Sequence, residues 1–266
     1  MYCRRVELLS KEKIPEIYFR ISFECEEIAR EARPGQFLMA RLLSPSWQYL
    51  LSRPFSFCEV NGSRIGLLFN VVGKGTRMLS QAEQGELLEV LGPLGNGFAI
   101  EVASNPILVG GGMGIAPLPF LASELAKSRP AEGITVLLGA RTAGALCLQE
   151  TFAHLGATVK VATDDGSAGH RGPVTDLLEQ QLCSGRNGKI IVYACGPEPM
   201  LRAVARLTRE RGVPCQVSVE ERMACGVGAC MSCACKTRDE NGVEHFKRVC
   251  VEGPVFNATE LAFDED

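Results

Sequence analysis

Residues 221–237 read ERMACGVGACMSCACKT and hold four cysteines within eleven positions. Cys225, Cys230 and Cys233 are separated by four residues and then by two, and beyond Cys235 the chain offers one more thiol, Cys250. Two bridged irons need four thiolates, and this is the plant-type spacing for a [2Fe-2S] cluster: a tight loop wraps three ligands and the chain returns with the last. Gly226 and Gly228, with the small Ala224, Ala229 and Ser232, let backbone amides approach the sulfides and offset the cluster's negative charge. A zinc ribbon also uses four cysteines but pairs them in two short-spaced hairpins, whereas Cys250 has only Val249 and Val251 beside it. The expected metal ligands are therefore Cys225, Cys230, Cys233 and Cys250. Cys235 reads as a spare buried thiol.

Twelve cysteines in 266 residues would suit a disulfide framework in a secreted chain. The N-terminal segment instead carries Arg4, Arg5, Glu7, Lys11, Glu12 and Lys13, with no apolar signal stretch, so a cytoplasmic setting with reduced thiols is expected. The uncharged stretch Asn105 to Ser123 contains seven Gly or Pro among nineteen residues and is not a membrane span. A net charge of −3 gives no reason to expect nucleic acid, and the acidic end FDED reads as a solvated tail.

Up to about residue 100 the chain reads as strands between turns: EIYFRISFE alternates, and GQFLMARLL, RPFSFCEV, RIGLLFNVV and GELLEVLGP follow at short intervals. That rhythm predicts an antiparallel β-barrel or sandwich over 1–100, with TRMLSQAE as its only helix. From Asn105 the runs PILVGG, ITVLLGA, ATVKVAT and KIIVYACG are each followed by a segment able to form a helix, which predicts a parallel-sheet α/β domain over 101–216. PEPMLRAVARLTRERG, with proline in its first turn and Gly212 as its stop, is the clearest helix. A small cluster domain is expected over 217–266.

Four short motifs bear on ligands. RPFS, Arg53, Pro54, Phe55 and Ser56, begins a strand on which the arginine can pair with a pyrophosphate and the serine can bond a flavin ring edge. GKGT, which includes Gly75 and Thr76, opens a helix and supplies bare amides to a phosphate, although a turn with a helix cap also satisfies it. VGGGMGIAPLPF sets Gly110, Gly111, Gly112 and Gly114 between a buried strand and a helix, the context of a dinucleotide phosphate loop. YACGPEPM presents Cys195, Gly196 and Pro197 at the carboxyl end of a core strand, the edge where ligands bind in open α/β sheets.

The series RPFS, GKGT, GGGMGIAP, ACGPEPM and a C-terminal plant-type cysteine loop resembles the ferredoxin-NADP reductase superfamily. Within it the chain is most similar to the electron-transfer subunits of NAD-dependent, class 1B dihydroorotate dehydrogenases, above all in SVEERMACGVGACMSCACK joined to RVCVEGPVF. The resemblance implies FAD held by Arg53 to Ser56, by Leu68, Phe69 and Asn70, and by Gly75 and Thr76. Asn70 stands where relatives often carry a basic residue. It also implies NAD at the glycine-rich domain, and a partner: an FMN-containing catalytic dihydroorotate dehydrogenase subunit, two of each chain. No residue here is expected to act on dihydroorotate itself.

Three other functions remain in view. The small subunit of an NADH, NADPH and ferredoxin transhydrogenase shares the layout, but that family tends to carry aspartate at the first cluster position, so Cys225 favours the dehydrogenase. Flavin subunits of cytoplasmic hydrogenases are further relatives. A non-enzymatic redox sensor has no use for both a flavin motif and a nicotinamide loop.

The acidic residue expected about twenty positions after the glycines is missing, and Gly139-Ala140-Arg141 ends the second parallel strand, which by itself leans towards NADP; the resemblance decides for NAD. Asp164 and Asp165 fit a ribose contact or a plain turn equally well. Glu220 and Glu221 read as a solvated strand end, with an acid or gate at the flavin as the alternative; His154, His170 and His245 read as ordinary loop or surface residues, and Trp47 and Tyr49 as a barrel rim, with an adenine cover as the alternative.

Overall fold

The computed structural model describes residues 1–14, 17–43, 51–102, 104–183 and 188–263; Trp47, Tyr49 and the acidic residues after Phe263 lie outside them. The first domain is a seven-stranded antiparallel sheet of β1 (Tyr2–Glu7), β2 (Ser10–Ile14), β3 (Tyr18–Glu24), β4 (Phe37–Leu42), β5 (Arg53–Asn61), β6 (Arg64–Asn70) and β7 (Leu87–Leu94) in the order β1-β7-β4-β5-β6-β3-β2. Only Leu8 and Leu9 separate β1 at one edge from β2 at the other, so the sheet must curl until its edges meet, as the expected barrel requires. Alternation fills the inside: Ile21, Phe23, Phe57, Ile65 and Leu67 are fully buried in one core. Two helices belong to this domain, α1 (Glu26–Glu31) and α2 (Lys74–Gln81). The second matches the expected TRMLSQAE helix; the first, six residues long, is too short to show a helical period in sequence.

The second domain contains β8 (Asn105–Gly111), α3 (Leu118–Ala126), β9 (Thr135–Ala140), α4 (Gln149–His154), β10 (Thr158–Thr163), β11 (His170–Arg171), α5 (Val174–Cys183), β12 (Ile190–Cys195), α6 (Glu198–Glu210) and β13 (Cys215–Ser218). Its sheet runs β11-β10-β9-β8-β12-β13 in parallel. The continuous apolar runs follow from burial on both faces: Leu108, Val136, Leu138 and Tyr193 enter one core while Ile107, Val109, Leu137 and Val192 enter the other.

The cysteine loop is followed by a hairpin of β14 (Ala234–Arg238) and β15 (Glu244–Arg248), after which β16 (Val255–Asn257) returns to pair antiparallel with β13. The C-terminal segment thus supplies the seventh strand of the nicotinamide-side sheet, an addition the sequence did not suggest.

The linker between barrel and sheet is strapped down. The Tyr193 hydroxyl donates to Ala99 O (3.1 Å) and accepts from Glu101 N–H (3.2 Å), Gln216 bonds both backbone groups of Ala99 (2.9 Å each), and Arg129 donates to the carbonyls of Glu101 and Val102 (2.8 and 2.9 Å). These bonds fasten the linker to the parallel-sheet domain.

The turn after β8 packs against the turn after β12 so closely that a Cβ on Gly114 would strike the Gly196 backbone. Backbone cannot swing aside as a side-chain tip can. Gly114→Ala is expected to cost about 1–3 kcal/mol, read as a lower denaturant midpoint at an unchanged slope, whereas Gly133→Ala, with open space around it, should be near neutral.

Candidate flavin and cluster site

A cavity of about 400 Å³ lies at the seam of the two large domains. The barrel contributes Arg53, Pro54, Phe55 and Ser56 from β5, Leu68, Phe69 and Asn70 from β6, and Thr76 from α2. The parallel domain contributes Met113, Gly114, Ala116, Pro117 and Cys195. Residues next to the cysteine loop close it: Ser218, Val219, Glu220, Glu221, Met223 and Pro254.

RPFS and GKGT are brought together. Arg53 lies so near the start of α2 that a Cβ on Gly75 would collide with its guanidinium. Thr76 Oγ1 accepts from the amides of Val72 (3.0 Å) and Gly73 (3.2 Å), which fixes the helix start. A cation and the positive end of a helix thus share one corner, and both favour an anion there. Gly75 lies behind that corner, on a groove shared with Arg53 and Phe55.

The remaining candidates separate. Gly110 and Gly111 are buried in β8 and Gly112 opens the following turn, so only Gly114 of that group reaches the cavity. Gly196 and Pro197 line a second cavity of about 410 Å³ with Val219, Cys235, Lys236 and Phe246. Arg141 and Asp165 meet at the carboxyl edge of the sheet, where Asp165 N–H donates to Arg141 O (3.3 Å). Hydrogen bonds from the Ser167 hydroxyl (2.6 Å) and amide (3.0 Å) hold the Asp165 carboxyl below its ordinary range.

Glu220 is exposed just after β13, as expected of a solvated strand end. It lines both cavities, so water reaches it, yet protein surrounds them and desolvation raises its carboxyl pKa. Burial, then the Glu220 charge, pushes the Cys195 thiol well above its ordinary value. The signal for Glu220 was its position just after β13, at the ligand-facing edge. Met223 and Pro254 carried no such signal, because only the third domain's return brings them there.

Among the described residues no set of three or more His, Cys, Asp or Glu side chains is placed to hold one metal ion. The four candidate thiols instead form two pairs. Cys230 N–H donates to Cys225 Sγ (3.4 Å), and the Cys250 thiol meets that of Cys233. The Ser232 hydroxyl, 3.1 Å away, and amide, with further help from Cys225, lower the Cys230 thiol to about 6, while burial raises Cys250 to about 11. Amides converge on the sulfurs: Val227 N–H lies 3.5 Å from Cys225 Sγ, and that of Gly228 faces Cys250. Gly226 and Gly228 take φ of 72° and 82°, conformations that side chains disfavour. Arg248 braces the loop through Gly228 O (3.2 Å) and is itself held by Glu252 at 2.5 Å. Cys235 lies apart on β14, half-buried, its thiol raised to about 11 by desolvation.

Cys233 and Cys250 pack in one core with Phe37, Met39 and Leu94 of the barrel. Phe37 also lines the flavin-side cavity. The core that buries Cys233 and Cys250 therefore reaches that cavity through Phe37.

A barrel and a parallel sheet meeting at a ligand cavity define an oxidoreductase of the ferredoxin-NADP reductase type, and residues 108–206 match the oxidoreductase NAD-binding domain family. Solved structures of low identity share this fold, among them the cytochrome b5 reductase domain of Ulva prolifera nitrate reductase (19% identity, TM-score 0.65, covering 79% of this chain and 93% of that one). Residues 220–262 match the iron-sulfur cluster binding domain of dihydroorotate dehydrogenase B. A Caldanaerobacter subterraneus protein, "Dihydroorotate dehydrogenase B (NAD(+)), electron transfer subunit", is 40% identical over 97% of this chain and 98% of its own length, and a Bacillus caldolyticus protein of the same description is 40% identical over 97% of each. The chain belongs to this family of electron transfer subunits. A structure of an NADH-dependent reduced ferredoxin-NADP oxidoreductase is also similar, with 35% identity, a TM-score of 0.83, and coverage of 97% of this chain and 90% of that one.

Proposed function

We propose that this chain carries electrons from the FMN of a separate dihydroorotate-oxidising subunit, through a [2Fe-2S] cluster and FAD, to NAD+. The observation that carries the reading is Phe37, which packs in one core with Cys233 and Cys250 and also lines the cavity shared with the nicotinamide-side sheet. Two pairs of thiolates suit two bridged irons, whereas one zinc ion needs all four around a single point. Bound FAD would supply the conversion between single electrons and a hydride.

The chain's own residues bind and orient. Arg53 and the start of α2 hold the pyrophosphate, Ser56 and Asn70 bond the ring and its side chain, and Gly114 and Cys195 leave room for a nicotinamide against the flavin. Glu220, whose carboxyl pKa desolvation raises, would stand at the edge of that cavity. Asp164 and Asp165 bring carboxylates to the edge where Arg141 alone would welcome a 2′-phosphate, and their charge favours NAD over NADP.

Exposed Val227, Met231 and Val251 form an apolar rim at the cysteine loop, suited to a partner's surface. Two heterodimers are the expected assembly. The isolated chain, purified without oxygen, should contain FAD, two irons and two sulfides. It should oxidise NADH with an artificial acceptor and show no dihydroorotate activity until an FMN-binding subunit is added. Stoichiometric zinc without flavin would sink the reading, and co-purification with a large glutamate-synthase-like flavoprotein would move it to the transhydrogenase.

A further inference from the structure

Arg248 ends β15 two residues before Cys250, the last of the expected cluster ligands. Its side chain, 33% exposed, lies back over the cysteine loop. The guanidinium donates to Gly228 O (3.2 Å) and forks onto Glu252, at 2.5 Å to one carboxylate oxygen and 3.2 Å to the other. Gly228 is thereby held from both sides, its carbonyl on Arg248 and its N–H on the Cys250 sulfur. The fit is close, since a Cβ on Gly228 would stand 3.2 Å from the guanidinium and collide with Val251. The ion pair also has a direction. Three hydrogen bonds of the Glu252 carboxylate return to Arg248, one of them from its main-chain N–H (2.7 Å). The guanidinium reaches further, into the loop, where the charges of Cys250 and Cys233 act on it after that of Glu252. The positive end of the pair therefore faces the two buried thiols.

A cluster held by four thiolates gains one negative charge when it takes up one electron. A fixed cation beside it favours the reduced form, and a fixed anion opposes that form. Resting on the cluster reading above, we propose that Arg248 is a tuning residue that raises the reduction potential of the [2Fe-2S] cluster, with Glu252 as the counter-charge that limits the rise. The fork on Glu252 orients the guanidinium, and the remaining N–H keeps Gly228 turned so that its amide meets Cys250. A higher potential favours uptake of electrons from the partner subunit and leaves less driving force for the step to FAD. The balance between Arg248 and Glu252 thus apportions the driving force between the two steps.

The test is a redox titration of the full, FAD-loaded protein, purified without oxygen and followed by the electron paramagnetic resonance of the reduced cluster. Arg248→Gln removes the charge but can still donate to Gly228 O. At a fixed potential its ratio of reduced to oxidised cluster should fall by about three- to tenfold, the latter being about 59 mV for one electron. Glu252→Gln removes the counter-charge yet keeps an acceptor for the Arg248 N–H, and its ratio should rise by a similar factor. Arg248→Lys keeps the charge and should stay within about twofold of the wild type; a fall as deep as that of the glutamine variant would overturn the proposal. Both glutamine variants break the same ion pair, so a bracing role alone would move the potential in the same direction in each. Opposite shifts support the proposal, and shifts of one sign, or none, overturn it. The FAD potential, read in the same titration, should stay in place, because the described lining of the flavin-side cavity includes neither residue; a FAD shift as large as the cluster's would also overturn it. Should Arg248→Gln lose its cluster, the direction of the Glu252→Gln shift decides. A wild-type chain without iron and sulfide would overturn the cluster reading together with this proposal, whereas a full cluster with an unmoved potential in the variants overturns this proposal alone.

Discussion

Serine in place of Cys225, Cys230, Cys233 or Cys250 is expected to remove nearly all the iron and acid-labile sulfide from the chain. Each residue belongs to one of two thiol pairs, so each loss leaves one iron with a single thiolate and a hard oxygen that binds it poorly. Cys233 and Cys250 should be the most severe, since both are buried. Cys235→Ser should keep full iron content, because that thiol lies on β14 outside both pairs. Iron and sulfide assays on anaerobically purified variants decide the matter. Loss of the cluster in Cys235→Ser with retention in Cys233→Ser would falsify the assignment.

Arg53→Ala is expected to weaken FAD binding by roughly 10- to 150-fold, the effect of removing one charge-assisted hydrogen-bonding group from a phosphate. The guanidinium stands over the first turn of α2, so its loss leaves only helix amides to meet the pyrophosphate. Arg53→Lys should recover part of the affinity, since charge survives but the fork does not. Titrating the flavin-free protein with FAD, following the flavin's fluorescence, gives both values. Equal affinity in wild type and Arg53→Ala would place the pyrophosphate elsewhere.

The elements legible in sequence are those whose side chains report their surroundings locally. The run that became β3 alternates because one face meets the barrel core, and those that became β8, β9 and β12 are apolar throughout because both faces are covered. YCRRVE and SKEKI gave no such signal: they form β1 and β2 at the sheet's edges and keep mostly exposed side chains. β16 is three residues long, and nothing within Val255–Asn257 announces a partner about forty positions earlier. The site divides in the same way. Arg53, Thr76 and the cysteines sit in motifs whose spacing carries chemistry, whereas Met223 and Pro254 reach the cavity only through the third domain's path, and Glu220 gained its character from walls that no neighbouring residue encodes.

The return of β16 also sets an order of manufacture. Cys250 sits seven residues before Asn257, on a stretch fastened to the parallel sheet through β13 and to the barrel through Asn96, whose amide donates to Gly253 O (2.5 Å) and whose side chain reaches Glu252 O (3.0 Å) and Val251 O (3.2 Å). The fourth ligand therefore has no fixed address until both larger domains exist. Iron delivered before that return forms would meet only three of the four expected ligands, so loading is expected to follow completion of the chain, and a fragment cut out from residue 217 onward is not expected to serve as a free-standing ferredoxin.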